Sequence, residues 1–199
     1  MGLAAIMHDI GKVFVPKKIL NKNAALTKDE FEVVKKHSYL GYSYIKDNTE
    51  IPSMSYVGIL QHHEKFNGTG YPFNLNGDKI SQFGRIVSIV DVYDALTSNR
   101  SYRNAASPSE AIEFIMGNSG NSFDPVLVDI FCKKVAPYPI GTSILLSDNR
   151  IGLVIQNYED CCTRPVVKIY KHGNKKVKPY IIDLKNDKNA MSVTIKNYA

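Results

Sequence analysis

The sequence predicts a mainly α-helical chain that ends in a small β-rich module. Through the first two thirds of the chain, apolar residues recur at helical spacing, and Thr27-Lys28-Asp29-Glu30 form a capping box that begins one helix. Pro137 and Pro139 end this pattern. After them, short apolar stretches are separated by turn signals such as Ser-Asp-Asn and His-Gly-Asn, which is typical of a small sheet.

The composition is that of a folded protein. Hydrophobic residues make up 44% and charged residues 22% of the 199 residues, which is enough chain to bury a sizeable core. No apolar run reaches the roughly 18 residues that a membrane span needs. The N-terminus lacks a basic leader, and three cysteines do not make a disulfide framework. We therefore expect a cytoplasmic protein without a membrane span.

Charge and histidine content divide the chain in two. Residues 137–199 carry ten Lys and Arg against five Asp and Glu, whereas residues 1–136 are nearly neutral and contain four of the five histidines. We therefore expect two domains, 1–136 and 137–199. The excess charge of the second domain is modest and is explained by a solvated β surface, so no nucleic-acid partner is expected.

Each predicted element has a local signal. Behind the capping box, an apolar stripe at helical spacing places His37 on the inward face of its helix. Turn residues, prolines and a second capping box at Ser107-Pro108-Ser109-Glu110 separate the other helices. The further helices are predicted at 52–65, 81–98, from 108 onward, and 125–135. The strands are predicted at 142–147, 151–157, 164–171, 177–184 and 190–196.

Two short motifs contain residues that bind metals. His8-Asp9 is followed by Gly11-Lys12, and an aspartate carboxylate can bridge two ions. His62-His63 point roughly 100° apart if they lie on a helix, which suits two different metals better than one. Each pair alone also has a common structural explanation that involves no metal. His8-Asp9 could be a pair on a helix surface, and His62-His63 could be one core histidine and one solvated histidine.

A third signal is Asp91, an acidic residue inside an otherwise apolar helix. An unpaired charge at such a position costs several kcal/mol, so Asp91 needs a partner, either a metal or a lysine. Taken together, the donors in the order HD…H…HH…D supply enough nitrogen and oxygen for two divalent metals such as Fe or Mn. No cysteine takes part, which argues against a structural zinc site.

The chain resembles the HD-GYP domain, a subgroup of the HD superfamily of metal-dependent phosphohydrolases. The match covers about residues 1–136. It rests on segments that reproduce the family's motifs: His8-Asp9-Ile10-Gly11-Lys12, His62-His63-Glu64 with Asn67-Gly68-Thr69-Gly70-Tyr71-Pro72, Arg85-Ile86-Val87, Asp91-Val92-Tyr93-Asp94-Ala95, Arg100-Ser101-Tyr102-Arg103 and Phe123-Asp124-Pro125. Residues 137–199 resemble more loosely, through 139–142 and 164–167, a β-rich extension that follows some of these domains.

The resemblance implies an HD-superfamily helical bundle that hydrolyses cyclic di-GMP to linear pGpG and, as often in the family, onward to GMP, in bacterial second-messenger signalling. It implies two divalent metal ions, Fe or Mn. As metal ligands it implies His8, Asp9, His37, His62, His63 and Asp91. Asp9, as the bridging ligand, and Lys12 are the implied catalytic residues. For substrate binding it implies Lys12, Tyr71, Arg100 and Arg103. Cyclic di-GMP is the implied ligand, with GGDEF-type or other signalling proteins and a second copy of the chain as candidate partners.

One departure from the family bears on activity. In the family, one or two helices precede the HD pair and supply a further histidine ligand and, in trinuclear members, a glutamate, whereas seven residues precede His8 here. We expect an N-terminally truncated copy, a fragment or a chain with a misassigned start, and as it stands the chain should bind its metals weakly. Two other functions stay open: a catalytically weak or inactive module that binds cyclic dinucleotides or a protein, and a di-iron oxygenase. The Gly-Tyr-Pro loop and the arginine pair argue against the oxygenase, because they suit an anionic phosphodiester.

Overall fold

The computed structural model describes residues 2–99 and 105–199. Contacts within the chain divide these residues into two compact units. The helical unit runs to Ala105 and includes Ile115–Val128, and the sheet unit comprises Ala106–Phe114 with Asp129–Ala199. The predicted fold class, mainly α with a β-rich C-terminal part, is confirmed. The domain division at 136/137 stays a prediction.

From α3 onward the helices lie close to their predicted positions, whereas α2 was not predicted. Their bounds are α1 Gly2–Met7, α2 Lys17–Leu20, α3 Lys28–Lys35, α4 His37–Ile45, α5 Ser53–Gln61, α6 Gln82–Thr97, α7 Pro108–Gly117 and α8 Pro125–Lys134. The capping box at α3 is present, since Thr27 accepts the amide of Glu30 and the Glu30 carboxylate accepts the amide of Thr27. Among the described residues, no helix combines the length and apolarity that crossing a membrane requires.

Two helices end earlier than the sequence suggests. The stripe through His37 is broken at Lys36, between α3 and α4, and α5 ends at Gln61, so that His62 and His63 follow the helix. At both places an imidazole donates to a carbonyl of the preceding turn: His37 to Val34, and His62 to Ile59. Side-chain donors of this kind compete with backbone amides for the same acceptors.

Gly11 brings the N-terminal segment against α4. It lies in a short 3₁₀ helix, Ile10–Phe14, that packs on α4. A Cβ placed on Gly11 would lie 1.9 Å from the carbonyl oxygen of His37 and 2.5 Å from the amide nitrogen of Gly41. A residue without a side chain is therefore required here, and the close approach sets His8-Asp9 beside His37.

The sheet unit contains five antiparallel strands in the order β4-β3-β2-β1-β5. Their bounds are β1 Ser143–Leu146, β2 Arg150–Gln156, β3 Val166–His172, β4 Lys175–Asp183 and β5 Ile195–Tyr198. The last strand begins later than predicted, because Lys188–Ala190 forms a 3₁₀ turn. The side chain of Asp187 caps that turn by accepting the amide of Asn189.

The core of the sheet unit consists of alternating strand residues and the segment that precedes β5. Its buried members include Ile144, Leu146, Val154, Val167, Ile169, Ile182, Leu184, Ala190 and Val193. Arg164, which lies just before β3, holds the segment that precedes β5 against the sheet through hydrogen bonds. Its Nε donates to the Leu184 carbonyl at 2.8 Å, and its Nη2 donates to the Ala190 carbonyl at 2.9 Å.

Candidate metal centre

Four histidines and two aspartates from distant parts of the sequence converge in the helical unit. His8 and Asp9 lie in the turn after α1, His37 is the first residue of α4, and Asp91 lies within α6. His62 and His63 follow α5. The six residues belong to four segments of this unit.

The donor atoms lie close enough to share ions. The Nε2 atom of His8 is 3.3 Å from an Asp91 oxygen and 3.4 Å from Oδ2 of Asp9. The other Asp9 oxygen, Oδ1, is 3.3 Å from Nε2 of His37. One donor atom from each of Asp9, His37, His62 and His63 can be chosen so that all four lie within 4.8 Å of one another. Asp9 thus presents one carboxylate oxygen to His8 and the other to His37.

Three of the histidines are oriented by the same backbone contact. Nδ1 of His8, His37 and His62 lies 2.6, 2.7 and 2.6 Å, respectively, from the carbonyl oxygen three residues earlier in the chain. A carbonyl oxygen can only accept, so Nδ1 carries the proton in each ring. In the neutral ring, Nε2 then keeps its lone pair and can bind a metal.

Burial keeps most of these imidazoles neutral. It lowers the pKa of His62 to about 4 and, together with the neighbouring His62, lowers the pKa of His63 to about 2. Burial also lowers the pKa of His37. His8 behaves in the opposite way, because hydrogen bonds with Asp9 and then Asp91 raise its pKa to about 10.

The carboxylates are held in their ionised form. Burial tends to raise the pKa of Asp9, but hydrogen bonds from His8 and Lys12 outweigh it, and the pKa lies well below its usual range. For Asp91, burial acts in the same direction and is outweighed by the hydrogen bond from His8, so its pKa is also lowered. Neutral imidazoles and ionised carboxylates are the forms in which these residues bind metals.

The residues fit a divalent metal. Nε2 of His37 and Nε2 of His62 face each other at 3.3 Å, and because Nδ1 carries the proton in each neutral ring, neither Nε2 can donate to the other. Oδ1 of Asp9 is buried and accepts no hydrogen bond within the described part of the chain. Lone pairs that converge without a donor are unfavourable unless a cation lies between them. Imidazole nitrogen and carboxylate oxygen together suit metals such as Fe and Mn.

Lys12 and Tyr71 border the centre. The Lys12 ammonium donates to Oδ2 of Asp9, and 41% of its side chain is exposed, so it lies between the carboxylate and solvent. The Tyr71 ring packs on His63 with 4.7 Å between the ring centroids and 33° between the planes. Arg100 and Arg103, also predicted to contact substrate, lie outside the described residues.

Glu64 is a buried residue at the site to which the sequence reasoning assigned no role. Only 2% of it is exposed, and its carboxylate accepts the amides of Phe73 and Leu75. A signal was available in the sequence, since an acidic residue directly follows the two histidines and precedes a glycine-rich loop. Periodicity alone did not show that this residue is buried.

Comparisons with known proteins agree with this geometry. A protein-family model described as HD domain matches residues 1–127. A cyclic di-GMP phosphodiesterase of Pseudomonas aeruginosa is 38% identical over 176 residues, which are 88% of this chain and 42% of that protein. A cyclic di-GMP phosphodiesterase of Vibrio cholerae is 40% identical over 134 residues, which are 64% of this chain and 27% of that protein. The chain thus spans less than half the length of either relative.

A solved structure shares the fold. An HDG"Y"P protein from Bdellovibrio bacteriovorus superposes with a TM-score of 0.50 and 23% sequence identity, covering 64% of this chain and 42% of that one. At this level of identity the likeness concerns the fold alone.

Proposed function

Since the chain belongs to the HD domain family, we propose that it is a metal-dependent phosphodiesterase that hydrolyses cyclic di-GMP to linear pGpG and then to GMP. The names of the Pseudomonas and Vibrio relatives support this choice of substrate. We assign the reaction to domain 1–136 and treat 137–199 as an extension. A cytoplasmic location, a GGDEF-type partner and self-association belong to the same proposal.

The observation that carries the proposal is the cluster of donors that lack protons. His37, His62 and Asp9 direct two nitrogens and one oxygen toward one another, and because Nδ1 carries the proton in both neutral rings, all three atoms present lone pairs. His8 and Asp91 form a second group on the other side of Asp9. Two groups that share one carboxylate could hold two metal ions, for which Asp9 would be the common ligand, and Fe or Mn suits the donor set.

The residues of the chain have distinct roles in this proposal. The histidines and the two aspartates would hold the ions, and such ions would supply acidification of a water molecule and neutralisation of charge on the phosphoryl oxygens. Lys12 is held beside the centre by Asp9, and its exposed ammonium can donate to a phosphate oxygen and stabilise charge that develops there. Tyr71 closes the side of the centre at His63. Arg100 and Arg103 are proposed to bind phosphate on the strength of the motif alone.

The test is hydrolysis by the purified chain loaded with Mn²⁺ or with Fe²⁺ under anaerobic conditions. Products from cyclic di-GMP are separated by chromatography, and other 3′,3′-cyclic dinucleotides are compared at the same concentration. The matched pair of variants is Asp9→Asn and Asp160→Asn. Both aspartates pair with a lysine, but Asp160 is exposed and lies in the sheet unit.

The two variants are expected to differ sharply. Asp9→Asn should lose at least about 100-fold in rate, since ligand loss disrupts both metal positions, whereas Asp160→Asn should match the wild-type chain. Stoichiometric metal binding without hydrolysis of any dinucleotide would contradict the proposal and would favour an inactive binding module.

A further inference from the structure

We propose that Glu64 is a positioning residue: it fixes the loop 70–75 so that the Tyr71 ring holds the imidazole of His63 in its metal-binding orientation. The inference rests on the proposed metal centre and extends it to a residue that binds neither metal nor substrate.

Glu64 is built to hold this loop. Its carboxylate is buried, and its two oxygens accept different amides, Oε1 that of Phe73 at 2.7 Å and Oε2 that of Leu75 at 3.0 Å. Hydrogen bonds from backbone amides to a buried carboxylate are among the stronger ones in proteins. Both ends of the carboxylate are thus committed to a loop that begins six residues later in the chain.

His63 needs a support that the other histidines do not need. Within the described part of the chain, its ring makes no hydrogen bond, in contrast to the backbone contacts that orient His8, His37 and His62. Aromatic packing takes the place of that contact. The centroid of the Tyr71 ring lies 4.7 Å from that of the His63 ring, and the centroid of the His62 ring lies 4.0 Å from it.

The loop lies directly on the backbone that carries His63. The amide of Tyr71 donates to the His63 carbonyl at 3.1 Å. A Cβ on Gly70 would lie 2.2 Å from the amide nitrogen of Lys65 and 2.5 Å from Cα of Glu64, so this contact leaves no room for a side chain. A displacement of the loop at Phe73 and Leu75 is therefore passed on to Tyr71, and from its ring to His63.

Glu64→Gln tests this chain of contacts with little change in volume. The amide group keeps one acceptor but turns its NH₂ toward the other backbone amide, so that two donors face each other in a buried place. Glu30→Gln is the matched control. Glu30 also accepts a backbone amide, that of Thr27 at 2.8 Å, but it is only partly buried, pairs with Lys22 and caps α3.

The first measurement needs no metal and no substrate. Hydrogen–deuterium exchange of the metal-free chain should show faster exchange at Phe73 and Leu75 in Glu64→Gln than in the wild-type chain. The Glu30→Gln variant should leave these two amides unchanged. Unchanged exchange in Glu64→Gln would overturn the proposal.

The second measurement asks whether Glu64 acts through Tyr71. Mn²⁺ affinity is measured by titration for Glu64→Gln, Tyr71→Ala and the double variant. Loss of an outer contact to a metal ligand weakens affinity about 10- to 100-fold. We expect each single variant to fall in this range and the double variant to bind as Tyr71→Ala does, because both changes remove the same support. Tyr71→Phe, which keeps the ring, should bind Mn²⁺ like the wild-type chain.

Three results of the Mn²⁺ titration would also overturn the inference: wild-type affinity in Glu64→Gln, a double variant whose loss is the product of the two single losses, and a wild-type chain that binds no Mn²⁺. A wild-type chain that binds Mn²⁺ but does not hydrolyse cyclic di-GMP would contradict the proposed function and leave the role of Glu64 standing.

Discussion

Replacing Gly11 by alanine should damage the metal centre although the three atoms nearest to the new methyl group are all backbone atoms. The added Cβ would lie 1.9 Å from the His37 carbonyl oxygen, whereas ordinary contact begins at 3.4 Å. Both close neighbours, the His37 carbonyl and the Gly41 amide, are backbone atoms of α4 and cannot rotate away. The segment that carries His8 and Asp9 must therefore move by about 1.5 Å relative to α4.

A movement of this size is large compared with what a metal site tolerates. Metal–ligand distances vary by only about 0.2 Å, and Oδ1 of Asp9 lies 3.3 Å from Nε2 of His37 across the same contact. We expect Mn²⁺ affinity to fall at least about 100-fold, which is the largest loss typical for removal of a contact that orients a metal ligand. Overpacking should also lower the free energy of unfolding by about 3 kcal/mol. For a chain of this length, that corresponds to a decrease in Tm of roughly 6–12 °C.

The assay combines Mn²⁺ titration with thermal unfolding of the metal-free chain. Gly117→Ala is the matched control, because a Cβ at Gly117, the last residue of α7, would meet nothing within 4 Å. The control should bind Mn²⁺ normally and unfold at the wild-type temperature or slightly above it. If Gly11→Ala bound Mn²⁺ as tightly as the control, the close approach of the two segments would not be what sets the geometry of the centre.

Three further outcomes are expected. Asp9→Ala should deplete both metal positions and reduce hydrolysis more than any substitution in 137–199, as metal analysis and product formation would show; full occupancy with retained hydrolysis would refute the bridging role. The metal-free chain should lose stability as pH falls from about 6.5 toward 4, because the unfolded state protonates His62 and His63 in that range while the folded state does not. A free energy of unfolding, measured with urea, that stays constant across this pH range would contradict the neutral imidazoles. Arg164→Ala should destabilise the sheet unit by about 3 kcal/mol, because buried carbonyls lose their donor, yet leave Mn²⁺ affinity unchanged; weakened Mn²⁺ binding would show that the two units are coupled.

The family, the fold class and most strands were predictable because their signals are local. The capping box at Thr27 and Glu30 forms as the four-residue pattern predicts. The strands followed alternation and turn residues, which report on neighbours two to four positions away. The donor residues could be selected for the same reason, since His62-His63 and Asp91 are unusual in their own segments.

What the sequence did not predict depends on contacts between segments. The break at Lys36 and the early end of α5 occur where His37 and His62 turn back to donate to the preceding turn, and that turn is specified by the site rather than by helix propensity. Glu64 looked like an ordinary charged residue after a helix. It is buried because the loop at Phe73 and Leu75 packs on it and donates two backbone amides to its carboxylate, a contact that the local sequence does not indicate.

The contact that orients three of the histidines has a consequence for how freely this sequence can diverge. The acceptors belong to Ala5, Val34 and Ile59, but each is a main-chain oxygen, which every amino acid supplies. Substitutions at these three positions can change packing without deleting the acceptor. The orientation of His8, His37 and His62 is therefore inherited with the path of the backbone, whereas that of His63 depends on the identity of two side chains, Tyr71 and Glu64. Substitutions should accordingly be tolerated around His8, His37 and His62, whereas substitutions around His63 should impair metal binding.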